Sequence, residues 1–153
     1  MVQLGQQNNE QMETRHHMDK AIIQLKSKQT LDGQTEETVH TYQAKATKKQ
    51  ESWYFAFKEN SEEDVSTVLK VNAQEITLLR QGSVQMKQVF HKGQSHTTRY
   101  VTPYLAYIME IHTNKLKIQE NGNGPTQIQI GYQLWLNEQY AGEIQLQYDI
   151  AYQ

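Results

Sequence analysis

The sequence predicts an all-β protein: a single antiparallel, mostly up-and-down β-barrel of about 8 to 10 strands with an N-terminal extension. Three observations lead there. From residue 20 to the end, segments of alternating apolar and polar residues follow one another, separated by short turns and without a helical interruption. Only 37% of residues are apolar, yet Gln and Thr are plentiful, which suits strands with one dry face and one wet face. A sheet of that many half-wet strands avoids a hydrophobic edge by closing on itself.

Residues 1–19 are rich in Gln and Asn and short of large apolar side chains, so alone they bury too little surface to offset their ordering entropy. They are expected to be irregular or to form one short helix capped by Asn9 and running through Met18, with Met12 and Met18 as weak anchors. The barrel domain is assigned to residues 20–153. Ala21 to Leu31 alternates Ile23, Leu25 and Ser27 against Gln24, Lys26 and Lys28, and Asp32-Gly33 supplies the positive-φ pair of a tight hairpin. The return strand, Gln34 to Thr47, takes its apolar content from Val39, Tyr42, Ala44 and Ala46. Lys48-Lys49-Gln50 turns the chain into Ser52 to Lys58, where Trp53, Phe55 and Phe57 share a face.

Asn60 to Asp64 reads as a solvated acidic turn, since it lacks the spaced oxygen pattern of a calcium loop. Val65 to Asn72 alternates Val65, Thr67, Leu69 and Val71. Glu75 to Thr113 then reads as four consecutive strands, with Ile76, Leu78 and Arg80 on one face before the turn at Gln81-Gly82-Ser83, and Val84, Met86, Gln88 and Phe90 on one face after it. Asn121-Gly122-Asn123-Gly124-Pro125 is the strongest breaker in the chain and predicts a loop. Two amphipathic strands end the domain. Ile128, Ile130, Tyr132, Leu134 and Leu136 line one, and after Asn137 to Ala141 the series Ile144, Leu146, Tyr148, Ile150 and Tyr152 lines the other.

Length and charge bound the rest. A chain of 153 residues is one domain by length and buries roughly 70% of its unfolded surface. A formal charge of -2, with no strongly basic window, argues against a nucleic-acid partner. With no cysteine, thiolate nucleophiles, disulfides and Cys-based zinc sites are excluded. The start lacks the basic and apolar regions of a signal peptide, and no run of eighteen apolar residues occurs, so the reading is a soluble, cytoplasmic protein without a membrane partner.

The block Leu79-Arg80-Gln81-Gly82-Ser83-Val84-Gln85-Met86-Lys87-Gln88-Val89-Phe90 resembles the most recognisable block of the YwiB-like family of bacterial proteins. The likeness extends to the Ile-x-Leu-x-Ser strand at Ile23 to Ser27, the aromatic strand ending in Glu59, the Tyr100 to Tyr104 stretch, and the Gly-Tyr-x-Leu strand at Gly131 to Leu134, covering residues 21–152. Leu105 departs from the family pattern, which has glycine there, and residues 1–19 have no counterpart in it. The resemblance implies a calycin, or lipocalin-like, β-barrel and a bacterial, cytoplasmic setting. It implies no activity.

Candidate chemistry centres on Arg80. Its parity with Ile76 and Leu78 points it into the barrel, where an unpaired guanidinium costs several kcal/mol. Glu59, with the parity of Trp53, Phe55 and Phe57, is the expected partner near one mouth. A functional reading makes Arg80, Glu59, Trp53, Tyr100, Tyr132 and Tyr148 the lining of a small-molecule site, with an anionic ligand in view; the plainer reading is a structural ion pair, or Arg80 stacked over Trp53. The histidines at 16, 17, 40, 91, 96 and 112 show no convergent spacing, with His91 and His96 expected as a solvent-exposed pair across a turn. No Gly-x-Ser-x-Gly elbow or phosphate-binding glycine motif occurs, so no catalytic residue, metal or cofactor is assigned. Trp135 shares the parity of outward Gln residues and marks a candidate contact surface. The reading is therefore a non-enzymatic small-molecule binding barrel. An interaction scaffold using the barrel surface and the N-terminal arm, through which it would form a homo-oligomer, is the alternative, and a hydrolase using Glu59 and a histidine is the third.

Overall fold

The computed structural model describes residues 18–59 and 64–153. The expected helix from Asn9 and most of the acidic turn at Asn60 to Asp64 fall outside them, as do His16 and His17. Among the described residues ten strands follow in order: β1 (Met18–Leu31), β2 (Gln34–Lys49), β3 (Ser52–Lys58), β4 (Val65–Val71), β5 (Glu75–Gly82), β6 (Met86–His91), β7 (Ser95–Val101), β8 (Ala106–Asn121), β9 (Gly124–Leu136) and β10 (Gln139–Tyr152). The first begins at Met18, two residues before the expected start of the domain.

The sheet order is β6-β5-β4-β3-β2-β1-β10-β9-β8-β7. Two antiparallel meanders, β1 to β6 and β7 to β10, are thus joined through the β1–β10 ladder, which runs from Ala21↔Tyr152 to Thr30↔Glu143. The seam between β6 and β7 holds one bridge, Gln85↔Val101, whose two backbone hydrogen bonds measure 2.8 and 2.9 Å. The result is a nearly closed all-β barrel consistent with a calycin-like fold. Positions of like parity point inward. Ile23, Phe55, Leu69, Ile76, Phe90, Ile128 and Tyr148 are essentially inaccessible, and full burial of each such side chain contributes about 1.5–3 kcal/mol.

Turn chemistry sets the register. Asp32 (φ 52) and Gly33 (φ 75) form the expected two-residue turn, and Asn137 (φ 49) and Glu138 (φ 68) form another. The second is shorter than the predicted Asn137 to Ala141 connection, because β10 resumes at Gln139 and absorbs one residue in a bulge between Tyr140 and Gly142. The expected loop at Asn121 to Pro125 is a hairpin with only Gly122 and Asn123 outside the ladder. Pro125 belongs to β9, facing Glu120 at a bulge near the strand's start, where a missing N–H is tolerated. Val39 faces solvent at 58% exposure, because β2 extends past the barrel wall.

Because successive strands alternate in direction, the β1–β2, β5–β6, β7–β8 and β9–β10 connections share one end, hereafter the mouth. The opposite end is closed by aromatic side chains. Trp53 lies 6.0 Å from Phe55 and 5.8 Å from Tyr152 between ring centroids, and the Tyr152 hydroxyl donates to the Pro125 carbonyl at 2.7 Å. Gly124 (φ 132) sits beneath this plug, where a Cβ would come within 2.7 Å of both Trp53 and Tyr152.

Candidate functional site

Four facing residues build the mouth-side wall of the barrel interior. Phe57, Thr67, Arg80 and Met86 form one unbroken row across β3, β4, β5 and β6, all on the inward parity. Glu59 follows β3 by one residue and stays extended because its N–H donates to the Val65 carbonyl at 3.0 Å. That places its carboxylate over the row. Arg80 Nε donates to Glu59 Oε2 at 2.7 Å and Arg80 Nη2 to Oε1 at 2.8 Å, while Thr67 Oγ1 donates to Oε2 at 2.6 Å. This is the bidentate fork that a planar guanidinium offers a carboxylate.

The pair is partly sheltered, with side-chain exposures of 23% for Arg80 and 19% for Glu59. Burial alone raises the Glu59 carboxyl, but hydrogen bonds from Arg80 and Thr67 and the Arg80 charge outweigh it and hold the group below its ordinary range. Burial likewise lowers the Arg80 guanidinium, and the hydrogen bond and charge of Glu59 more than reverse this.

Beside the pair lies a cavity of ≈ 310 Å³. Its polar wall includes Arg80, Glu59, Tyr42, Tyr100, Tyr132, Tyr148 and Gln88, and its apolar belt includes Phe57, Leu78, Leu134 and Ile144. Gln88 is 3% exposed and donates through Nε2 to Met109 Sδ at 3.0 Å. The phenols of Tyr132 and Tyr148 are pushed well up, first by burial; Gln88 hydrogen bonding pulls Tyr132 partly back, and neighbouring Tyr132 and Tyr42 reinforce the rise at Tyr148. Burial also raises Tyr42, helped by Glu59 and opposed by Arg80. These tyrosines stay neutral and present hydroxyls, able to donate or accept, on a mainly apolar surface.

Five of the six residues named from sequence therefore come together. Trp53 does not. It has the right parity, but it precedes Glu59 by six residues, about 20 Å of extended strand, and sits in the plug at the opposite end. Arg80 consequently makes its fork with Glu59 and no stack over Trp53. Sequence reasoning missed Tyr42, Thr67 and Gln88 as wall residues; all three sit at inward parity, which was the available signal.

The described histidines, at 40, 91, 96 and 112, do not converge. His91 Nδ1 lies 3.7 Å from Glu75, and His112 Nδ1 is 2.9 Å from the Ser95 hydroxyl. His96 sits half-buried opposite Ile111, so it and His91 do not make the expected exposed pair. Among the described residues no group of His, Asp and Glu could hold a metal ion. Nor is any described helix long and apolar enough to cross a membrane. Trp135 is half-buried and packs edge-on against Tyr140 at 5.5 Å.

Residues 23–148 match the family model described as the domain of unknown function DUF1934. The chain belongs to this family. No curated protein matches it. Among solved structures, the crystal structure of the YwiB protein from Bacillus subtilis is similar, with a TM-score of 0.70 and 20% identity over 86% of this chain and 92% of that one. At such identity the likeness shows the fold alone. Within the DUF1934 match lie all the cavity residues named above, and the span begins at Ile23 and ends at the cavity residue Tyr148.

Proposed function

We propose that this DUF1934 protein is a non-enzymatic barrel that binds one small molecule in the mouth cavity. The observation that carries the reading is that cavity: ≈ 310 Å³, apolar around its waist, with a few converging polar groups. That volume is at the small end of ligand sites. Glu59 already neutralises Arg80 and occupies two edges of its fork, so the ligand's polar end is read as uncharged, in place of the anion the sequence suggested. The remaining guanidinium N–H groups and the tyrosine hydroxyls would hydrogen-bond that end, and the apolar belt would hold its body. Catalysis through Glu59 is disfavoured, because a carboxylate held ionised by Arg80 and Thr67 is a poor proton donor or acceptor near neutral pH.

The test is a cavity-filling change. Leu146→Trp, from the cavity wall, should abolish the thermal stabilisation that a fractionated small-molecule extract of the host gives the unaltered protein, while leaving the barrel folded by circular dichroism. Equal stabilisation of both proteins, or none of the unaltered one by any fraction, would sink the proposal.

A further inference from the structure

β2 leaves the barrel wall well before its tip. Its ladder with β3 runs only from Lys45↔Ala56 to Lys49↔Ser52, whereas its ladder with β1 continues to Leu31↔Gln34. Among the described residues, the stretch from Gln34 to His40 thus has one strand neighbour and one open edge, and every residue of it is exposed. The two-residue turn at Asp32 and Gly33 closes on Leu31 and Gln34, a pair that exchanges its backbone hydrogen bonds. Alternation along the ladder then turns the N–H and C=O groups of Thr35, Glu37 and Val39 away from β1.

Open strand edges template pairing, and proteins blunt them with lysines, prolines and bulges. The other long edge of this sheet shows those devices. Beyond its ladder with β7, β8 carries Lys115 and Lys117 and two bulges, at Thr113/Lys115 and Gln119/Glu120. The β2 edge from Gln34 to His40 has no lysine, no proline and no break in register; its acidic residues are Glu36 and Glu37, and three of its residues, Thr35, Thr38 and Val39, are β-branched.

We propose that this edge pairs with the same edge of a second copy, antiparallel about a two-fold axis at Thr38, so that two barrels share one continuous sheet. Side-chain pairing selects the register. With Thr38 on the axis, Glu36 faces His40 of the second copy, twice by symmetry, and Glu37 and Val39 supply the outward backbone groups that bond across the joint. Centring on Glu37 would oppose two like carboxylates. Centring on Val39 would bring Glu36 opposite Tyr42, whose side chain is committed to its own barrel at 7% exposure.

The absence of cysteine makes the test clean. A residue on the axis at a non-hydrogen-bonded position meets its own copy at a Cα separation of about 4.5 Å, within the range a disulfide spans. In the full-length protein under mild oxidation, Thr38→Cys should cross-link to itself at least about tenfold faster than an exposed control such as Glu51→Cys, and Glu36→Cys should cross-link with His40→Cys in a mixture but not with itself. Thr38→Lys, which opposes two ammonium groups on the axis, should weaken the dimer by at least about tenfold in sedimentation, with the circular dichroism of the barrel unchanged. A monomeric protein at tens of micromolar, cross-linking at Thr38→Cys no faster than the control, preferential self-cross-linking of Val39→Cys, or a dimer indifferent to Thr38→Lys would each overturn the proposal.

Discussion

Removing either member of the Arg80–Glu59 pair leaves the other charge sheltered and without its fork. Breaking a fully buried pair costs about 3–5 kcal/mol; here both side chains keep about a fifth of their surface, 23% and 19%, so the low end applies. Arg80→Met leaves Glu59 with only the Thr67 hydroxyl, and Glu59→Gln leaves a guanidinium facing an amide. Each should cost about 3 kcal/mol, whereas the double change should cost about 3–4 kcal/mol, giving a coupling of about 2–3 kcal/mol. Urea unfolding of the four proteins at pH 7 measures this directly. The same pair sets a pH dependence. Glu59 is lowered from an ordinary 4.5 in the folded protein, so the unfolded chain takes up its proton first as pH falls, and the stabilisation present at neutral pH is lost through and below that range. Arg80→Met should flatten this acid slope. Additive single losses, within about 0.5 kcal/mol, or an unchanged acid slope would refute the inferred coupling.

At the alkaline end the sign reverses. Burial raises Tyr132 and Tyr148, so stability should hold below about pH 10 and fall above it, and ultraviolet titration should show these phenols ionising together with unfolding. Phe55→Ala empties a fully buried site between Trp53 and Tyr152 and should cost about 3–5 kcal/mol in chemical denaturation. Gly124→Ala forces a Cβ into the plug at a positive φ and should lower stability by at least about 2 kcal/mol, with the near-ultraviolet signal of Trp53 disturbed.

What the sequence made legible follows from the period of two. Parity assigned Arg80, Glu59, Tyr132 and Tyr148 to the interior, because a one-residue slip would move a whole strand's apolar set into water. The cost of a lone buried guanidinium then called for a carboxylate, and Glu59 provides it at 2.7 Å. Parity says nothing of height along the barrel, which is why Trp53 was grouped with residues at the opposite end. Pro125 read as a breaker because the bulge that admits it is set by pairing with β8, a property of two strands and not of one segment. The seam between β6 and β7 was likewise invisible, since adjacent strands joined by a short turn ordinarily pair, and here their ladders go to β5 and β8 instead.

The mouth cavity and its occupant are the centre of this account, and native mass spectrometry of the protein isolated from its own host tests them most directly. The unaltered protein should carry a single species of small non-covalent adduct, absent from Leu146→Trp prepared in the same way. An adduct retained by the filled variant, or an unaltered protein that is bare as isolated and stays bare after incubation with host extract, would contradict the reading of this barrel as a binding protein.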